Sequence, residues 1–131
     1  SDRARQVIGV ELNADAVRDA RGNARINQVE NIRFYQNDAG RFLMEMAASE
    51  ARADVVLMDP PRGGSSEEFL AAVARMAPAR VVYVSCNPET LARDLGYMTK
   101  NGYRAERAVA VDLFPFTNHV EVVCCLQRVS S

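Results

Sequence analysis

Apolar residues recur along this chain in two alternating rhythms: short runs dense in β-branched residues, and longer stretches with apolar positions three and four apart. Gln6-Val7-Ile8-Gly9-Val10-Glu11-Leu12 has the first rhythm and predicts a buried parallel strand ending in a carboxylate. Asn13 then caps a helix through about Asn27, with Ala14, Val17, Ala20 and Ala24 on its inner face. A second strand is expected at Ile32-Arg33-Phe34-Tyr35-Gln36, ending near Asn37-Asp38, followed by a helix over 40–52 with Phe42, Leu43, Met46 and Ala47 inward. Ala53-Asp54-Val55-Val56-Leu57-Met58-Asp59 is a third strand, stopped by Pro60-Pro61 because proline offers no N–H to a ladder. Past the Gly63-Gly64 turn, Ser66 caps a helix carrying Phe69, Leu70, Val73 and Met76, and Pro78 closes it. Val81-Val82-Tyr83-Val84 runs as a fourth strand into Ser85-Cys86. There Asn87 serves as N-cap, Pro88 fits the first helical position, and Leu91, Leu95 and Met98 follow at helical spacing. Gly102 ends that helix, and two last strands, at about 104–112 and 119–128, are joined through Leu113-Phe114-Pro115-Phe116-Thr117-Asn118.

Strand and helix thus alternate four times before two strands finish without a helix between them. The alternation implies an α/β fold with a mostly parallel sheet and helices on both faces; the last pair implies an antiparallel C-terminal edge. No repeat, linker or low-complexity tract divides the 131 residues, so they read as one domain or one piece of one. With 48% hydrophobic and 25% charged residues, the composition is that of a chain able to bury a core.

No apolar run is long enough to cross a bilayer, and Ser1-Asp2-Arg3-Ala4-Arg5 has no signal-peptide core behind it, so a cytoplasmic protein without a membrane partner is expected. Three cysteines, two of them adjacent at Cys124 and Cys125, do not form a disulfide framework. No His or Cys has a partner at zinc-ligand spacing, and no metal is expected. A net charge of −1 argues against a free-standing nucleic-acid binder, which carries a basic excess; were the substrate a nucleic acid, much of the backbone grip would lie elsewhere.

The chemistry gathers at strand ends. Cys86 follows a buried strand and precedes a helix, where unpaired N–H groups and the helix dipole stabilise negative charge and make a thiol a better nucleophile. Most cysteines are small apolar fillers, so the position counts only if other polar groups converge on the same sheet edge. Glu11, Asp38 and Asp59 fall at or just beyond the ends of successive strands, where a carboxylate can accept both hydroxyls of a ribose. Each alone could equally be a loop cap. In Asp59-Pro60-Pro61-Arg62 two prolines fix the backbone where a carboxylate would be aimed into a cleft, though a merely rigid turn has the same sequence. His119 and Glu121 lie two apart on one side of the last strand. A structural hydrogen bond would account for His119, whereas Glu121 enters the apolar run Val120, Val122, Val123 and needs a partner or a task.

Asp59-Pro60-Pro61-Arg62-Gly63, Ser85-Cys86-Asn87-Pro88 and Asp112-Leu113-Phe114-Pro115-Phe116-Thr117-Asn118-His119-Val120-Glu121 resemble, in order and spacing, the signatures of the TrmA/RumA-like S-adenosylmethionine-dependent RNA (uracil-5-)-methyltransferases. The resemblance covers nearly the whole chain. It implies a Rossmann-like class I methyltransferase sheet, S-adenosylmethionine as cofactor, a uridine of transfer or ribosomal RNA as substrate, Cys86 as nucleophile and Glu121 as base. Glu11, Asp38 and Asp59 match family positions that contact the cofactor or support the site. Phe114 and Phe116 would suit the mouth of a pocket receiving an unstacked base, or the core.

The chain departs from the family at its beginning. Family members carry a further strand and a Gly-rich, cofactor-wrapping loop before the strand that here starts at Gln6, and upstream of that an RNA-binding module, often with an iron–sulfur cluster. The resemblance is therefore to the C-terminal catalytic portion of a longer enzyme, residues 1–131 being a partial methyltransferase domain. In the family's sheet the absent strand lies between those ending at Glu11 and Asp59. Those two would then either close up against each other or leave a gap for another copy of the chain, as in a strand-exchanged dimer. The isolated residues are expected to bind S-adenosylmethionine weakly and to be inactive alone. Two other functions remain open: Asp-Pro-Pro also resembles the motif of amino-group methyltransferases, which need no thiol, and a non-catalytic RNA-binding module would leave Cys86 without a role.

Overall fold

Three short polar side chains start three helices, as their positions predict. In the computed structural model, which describes residues 3–112 and 120–129, Asn13 accepts from the amides of Asp15 and Ala16, Ser66 from that of Phe69, and Asn87 from that of Glu89. These satisfy amides that the first helical turn leaves without partners. The chain divides into two compact units, Ser1–Leu43 and Met44–Ser131.

In the first unit, β1 (Val7–Glu11) pairs in parallel with β2 (Ile32–Gln36), from Val7 opposite Ile32 to Glu11 opposite Gln36. The connecting α1 (Ala14–Ile26) packs on both strands and buries Val17. Gly9, paired with Phe34, leaves room for its ring: a Cβ there would lie 2.6 Å from the Phe34 ring. The helix α2 (Ala39–Ala48) runs across the boundary of the two units and ends four residues before the expected limit.

The second unit holds a four-stranded sheet in the order β3-β4-β6-β5, formed by β3 (Val55–Met58), β4 (Arg80–Ser85), β5 (Tyr103–Val111) and β6 (Glu121–Arg128). β3 and β4 are parallel; β6 is antiparallel to both β4 and β5, which gives the expected antiparallel edge. Val81, Tyr83 and Ser85 of β4 and Cys124 and Leu126 of β6 are buried on one face of this sheet. α3 (Glu67–Met76) adds Leu70, Val73 and Met76 to the core, and α4 (Pro88–Lys100), which packs on α3 and β5, adds Leu91 and Met98. Burying a side chain of this size contributes about 1.5–3 kcal/mol before entropy is counted.

The α/β class stands, but the strands are shared between two sheets. β1 and β3 belong to different sheets, and among the described residues no ladder joins the strands that end at Glu11 and Asp59, so of the two alternatives the direct pairing of those strands is not seen. β3 keeps Val55 and Leu57 54% and 74% exposed. Its four residues are all apolar, the pattern of a strand made to be covered on both faces, and β4 supplies only one lateral neighbour. The connection over 113–119, with Phe114, Phe116 and His119, lies outside the described residues. No described helix is long and apolar enough to cross a membrane, and no cluster of three metal-ligating side chains occurs among the described residues.

Candidate active site

Two carboxylates sit together at the carboxyl edge of the first unit's sheet. Glu11 ends β1, and its backbone carbonyl accepts from the amide of Asn37 (3.1 Å), which follows β2. Its Oε1 accepts from the Asn13 amide at 3.0 Å, and Asp38 Oδ1 accepts from the Arg41 amide at 2.9 Å. Both therefore do the local capping that strand-end acids commonly do. Each is exposed, and a carboxylate has four lone-pair sites, so one capping bond leaves acceptor capacity for the hydroxyl or amino groups of a ligand.

In the second unit, register brings the remaining candidates to one edge. β3 and β4 run parallel with Met58 opposite Tyr83, so exposed Asp59 and half-buried Cys86 both leave the carboxyl end of the sheet. β6 arrives antiparallel with Val122 opposite Ser85. That pair is the last of the ladder: Cys86 follows Ser85 directly, and Glu121 precedes Val122 directly, so both adjoin the same end of the β4–β6 pair. Glu121 is half-buried as the first residue of β6 and pairs with Val111 of β5.

The turn carrying Cys86 is firmly built. The Asn87 amide donates to Ser85 Oγ at 3.0 Å, and that hydroxyl donates to the Asn87 carbonyl at 2.9 Å. The Asn87 side chain, beyond capping α4, donates through Nδ2 to the Arg62 carbonyl at 3.1 Å, to which Thr90 Oγ1 also donates at 3.0 Å. The Asp59-Pro60-Pro61-Arg62 loop is thus tied to the turn that presents the thiol. After a Pro61-to-Gly64 turn (Gly64 amide to Pro61 carbonyl, 2.8 Å), Arg93 Nη2 donates to the carbonyls of Gly63 (2.9 Å) and Ser65 (3.2 Å). The Ser65 amide donates to Asp94 Oδ2 at 2.9 Å.

Asp94 is the group that the sequence reasoning missed. It is 1% exposed, and besides the Ser65 amide it accepts from Tyr83 Oη at 2.6 Å and from Arg93 Nε and Nη2 at 3.2 and 3.1 Å. Burial first, and then the neighbouring Asp94 carboxylate, push the Tyr83 hydroxyl well above the usual tyrosine range, so it remains a donor. A signal was present: Asp94 lies three residues after Leu91 and four before Met98, a charged residue within the apolar stripe of its helix.

Compared with known proteins, residues 1–129 match the family model described as tRNA (Uracil-5-)-methyltransferase. The chain belongs to this family. It is similar to uncharacterised RNA methyltransferases from Caldanaerobacter subterraneus, 44% identical over 126 residues, and Gloeobacter violaceus, 47% identical over 125. These alignments cover 96% and 95% of this chain but only 28% and 26% of those proteins, so the chain spans little more than a quarter of their length. Among solved structures, the Pyrococcus abyssi tRNA (uracil-54, C5)-methyltransferase in complex with S-adenosyl-L-homocysteine superposes with a TM-score of 0.80 at 38% identity, over 95% of this chain and 29% of that one. The M. jannaschii TYW2 complex with AdoMet, at a TM-score of 0.62 and 20% identity over 97% of this chain and 60% of its own, shares the fold. The family member described here thus has the Rossmann-like class I methyltransferase architecture.

Proposed function

We propose that this chain carries the catalytic residues of an RNA methyltransferase that forms 5-methyluridine in transfer or ribosomal RNA, with S-adenosylmethionine as methyl donor. The observation that carries the proposal is the β4–β6 register, whose last pair, Ser85–Val122, is flanked directly by Cys86 on one strand and Glu121 on the other. Family membership and the likeness to a tRNA uracil-C5 methyltransferase support it.

Carbon 5 of uracil is a poor nucleophile, and the two residues remedy this in turn. The Cys86 thiolate forms a bond to carbon 6, and the electrons of the 5,6 double bond move toward O4, leaving an enolate with a nucleophilic carbon 5. When bound, S-adenosylmethionine supplies the electrophilic methyl group that carbon 5 attacks. Glu121 then takes the proton from carbon 5, the double bond re-forms, and the Cys86 sulfur leaves. Glu11 and Asp38, with acceptor capacity beyond their caps, fit the hydroxyl and amino groups of the donor's nucleoside, and Asp59 would contact the cofactor or support the site.

RNA containing 5-fluorouridine tests the mechanism, because fluorine at carbon 5 cannot be removed by Glu121. With S-adenosylmethionine present, this chain, or a version extended at its N-terminus, should become covalently attached through the Cys86 peptide, and Cys86→Ser should not. Glu121→Gln should accumulate the same adduct on ordinary uridine. Absence of an adduct in both versions would remove Cys86 as the nucleophile.

A further inference from the structure

Four donors converge on the two oxygens of Asp94: the Tyr83 hydroxyl and the Ser65 amide on Oδ2, and the Arg93 Nε and Nη2 groups on Oδ1. These donors come from β4, from the loop after β3, and from α4 itself. An acceptor on both branches is therefore required. In an asparagine, one branch would turn an N–H2 donor either toward Arg93 or toward the Ser65 amide, and neither can accept. Arg93 repeats the pattern one residue earlier, using Nη2 on the Gly63 and Ser65 carbonyls as well as on Asp94. Gly64 fits the same knot: its φ is +77°, and a Cβ would lie 2.6 Å from Arg93 Nη2 and 2.9 Å from Asp94 Oδ2.

Nothing in the proposed chemistry uses this buried carboxylate, yet every bond it makes outside α4 goes to the two segments that flank the candidate residues. Tyr83 lies three residues before Cys86 on β4, and Ser65 lies six residues after Asp59. We propose that Asp94, with Arg93, is a positioning residue: it locks the loop over 59–65 onto the first turns of α4 and so fixes Asp59 relative to the Cys86 turn. The inference rests on the proposed roles of Cys86 and Asp59 but is tested without RNA.

The experiment is amide exchange by NMR together with peptide-resolved alkylation of Cys86 by iodoacetamide, on the whole chain below its unfolding temperature. Asp94→Asn should speed exchange at the Ser65 amide by roughly tenfold or more, the factor expected for one lost charge-assisted hydrogen bond, and should raise the Cys86 alkylation rate. Val73→Ala, a core truncation that removes none of the hydrogen bonds to Asp94 or Arg93, should lower the unfolding temperature while leaving both local rates unchanged. Should Asp94→Asn not fold, Arg93→Ala serves instead, since the Arg93 side chain is 58% exposed; it should free the Gly63 and Ser65 carbonyls and raise Cys86 alkylation in the same way. Loss of global stability with unchanged Ser65 exchange and unchanged Cys86 alkylation, in whichever variant folds, overturns the proposal.

In a version that traps 5-fluorouridine, the saturating rate of adduct formation should fall about 10²-fold in the variant, as expected for a misplaced reacting group, while the half-saturating RNA concentration is unchanged. Failure of the wild type to trap would sink the catalytic reading alone, because the exchange and alkylation results decide the role of Asp94 independently.

Discussion

Gly64→Ala isolates the stiffness of the loop that follows Asp59. The residue has φ +77°, a region where an L side chain costs about 1–2 kcal/mol. Its new Cβ would also meet Arg93 Nη2 at 2.6 Å, Asp94 Oδ2 at 2.9 Å and Thr90 Cβ at 3.0 Å. Asp94 cannot retreat without abandoning Tyr83 and Ser65, so Arg93 is the group that moves. Because the Arg93 side chain is 58% exposed, its lost bonds to the Gly63 and Ser65 carbonyls are worth about 1 kcal/mol together, well under their value in a buried site. The expected cost is about 2–3 kcal/mol, or a fall in Tm of roughly 7–11 °C for a chain of this size. Urea unfolding followed by circular dichroism measures it, with an unchanged m-value confirming that the native state alone was altered. Gly63→Ala is the matched control: it has no atom within 4 Å of its Cβ position and no positive φ, so it should lie within about 0.5 kcal/mol of wild type. A Gly64→Ala cost no larger than that of Gly63→Ala would refute the account of the loop.

Two further outcomes follow from buried groups and backbone geometry. Burial raises Tyr83 and Tyr103 above the ordinary 10.0 and Cys124 above 9.0, so at alkaline pH the folded chain keeps protons that the unfolded chain has released. Their contribution is therefore fully present below about pH 9 and is lost as pH rises, by up to about 1.4 kcal/mol per pH unit for each group. Urea midpoints between pH 8 and 11 should fall accordingly, and Tyr83→Phe should flatten the part above pH 10; a stability that rises over this range would contradict the burial of these groups. At the end of α3, Ala77 is left-handed (φ 52°, ψ 48°), so Ala77→Gly should raise stability by about 0.5 kcal/mol, the relief of that conformation less the entropy of glycine. Thermal unfolding would show it as a small rise in Tm, and a fall would mean that the Ala77 methyl makes contacts worth more than the strain.

Local chemistry determined what could be seen without the tertiary structure. The caps at Asn13, Ser66 and Asn87, the strand at Ile32–Gln36 and the apolar stripe of α3 follow from interactions spanning a few residues, and there expectation and structure agree. Cys86 and Asp59 were legible as strand-end residues because a strand followed by a helix or by two prolines marks its own terminus. Glu121 stood out because a carboxylate in an apolar run has to be explained. What the one-dimensional pattern could not contain is partnership across long sequence separations. That Cys86 and Glu121 adjoin the same end of one strand pair depends on the antiparallel register of β4 and β6, which joins residues more than thirty positions apart. The division of the strands into two sheets reflects which edges find neighbours, since the apolar runs of β1 and β3 demand lateral partners without naming them. The Asp94 knot joins residues 65, 83, 93 and 94, and its tight satisfaction of four donors by two oxygens exists only once strand, loop and helix are packed together.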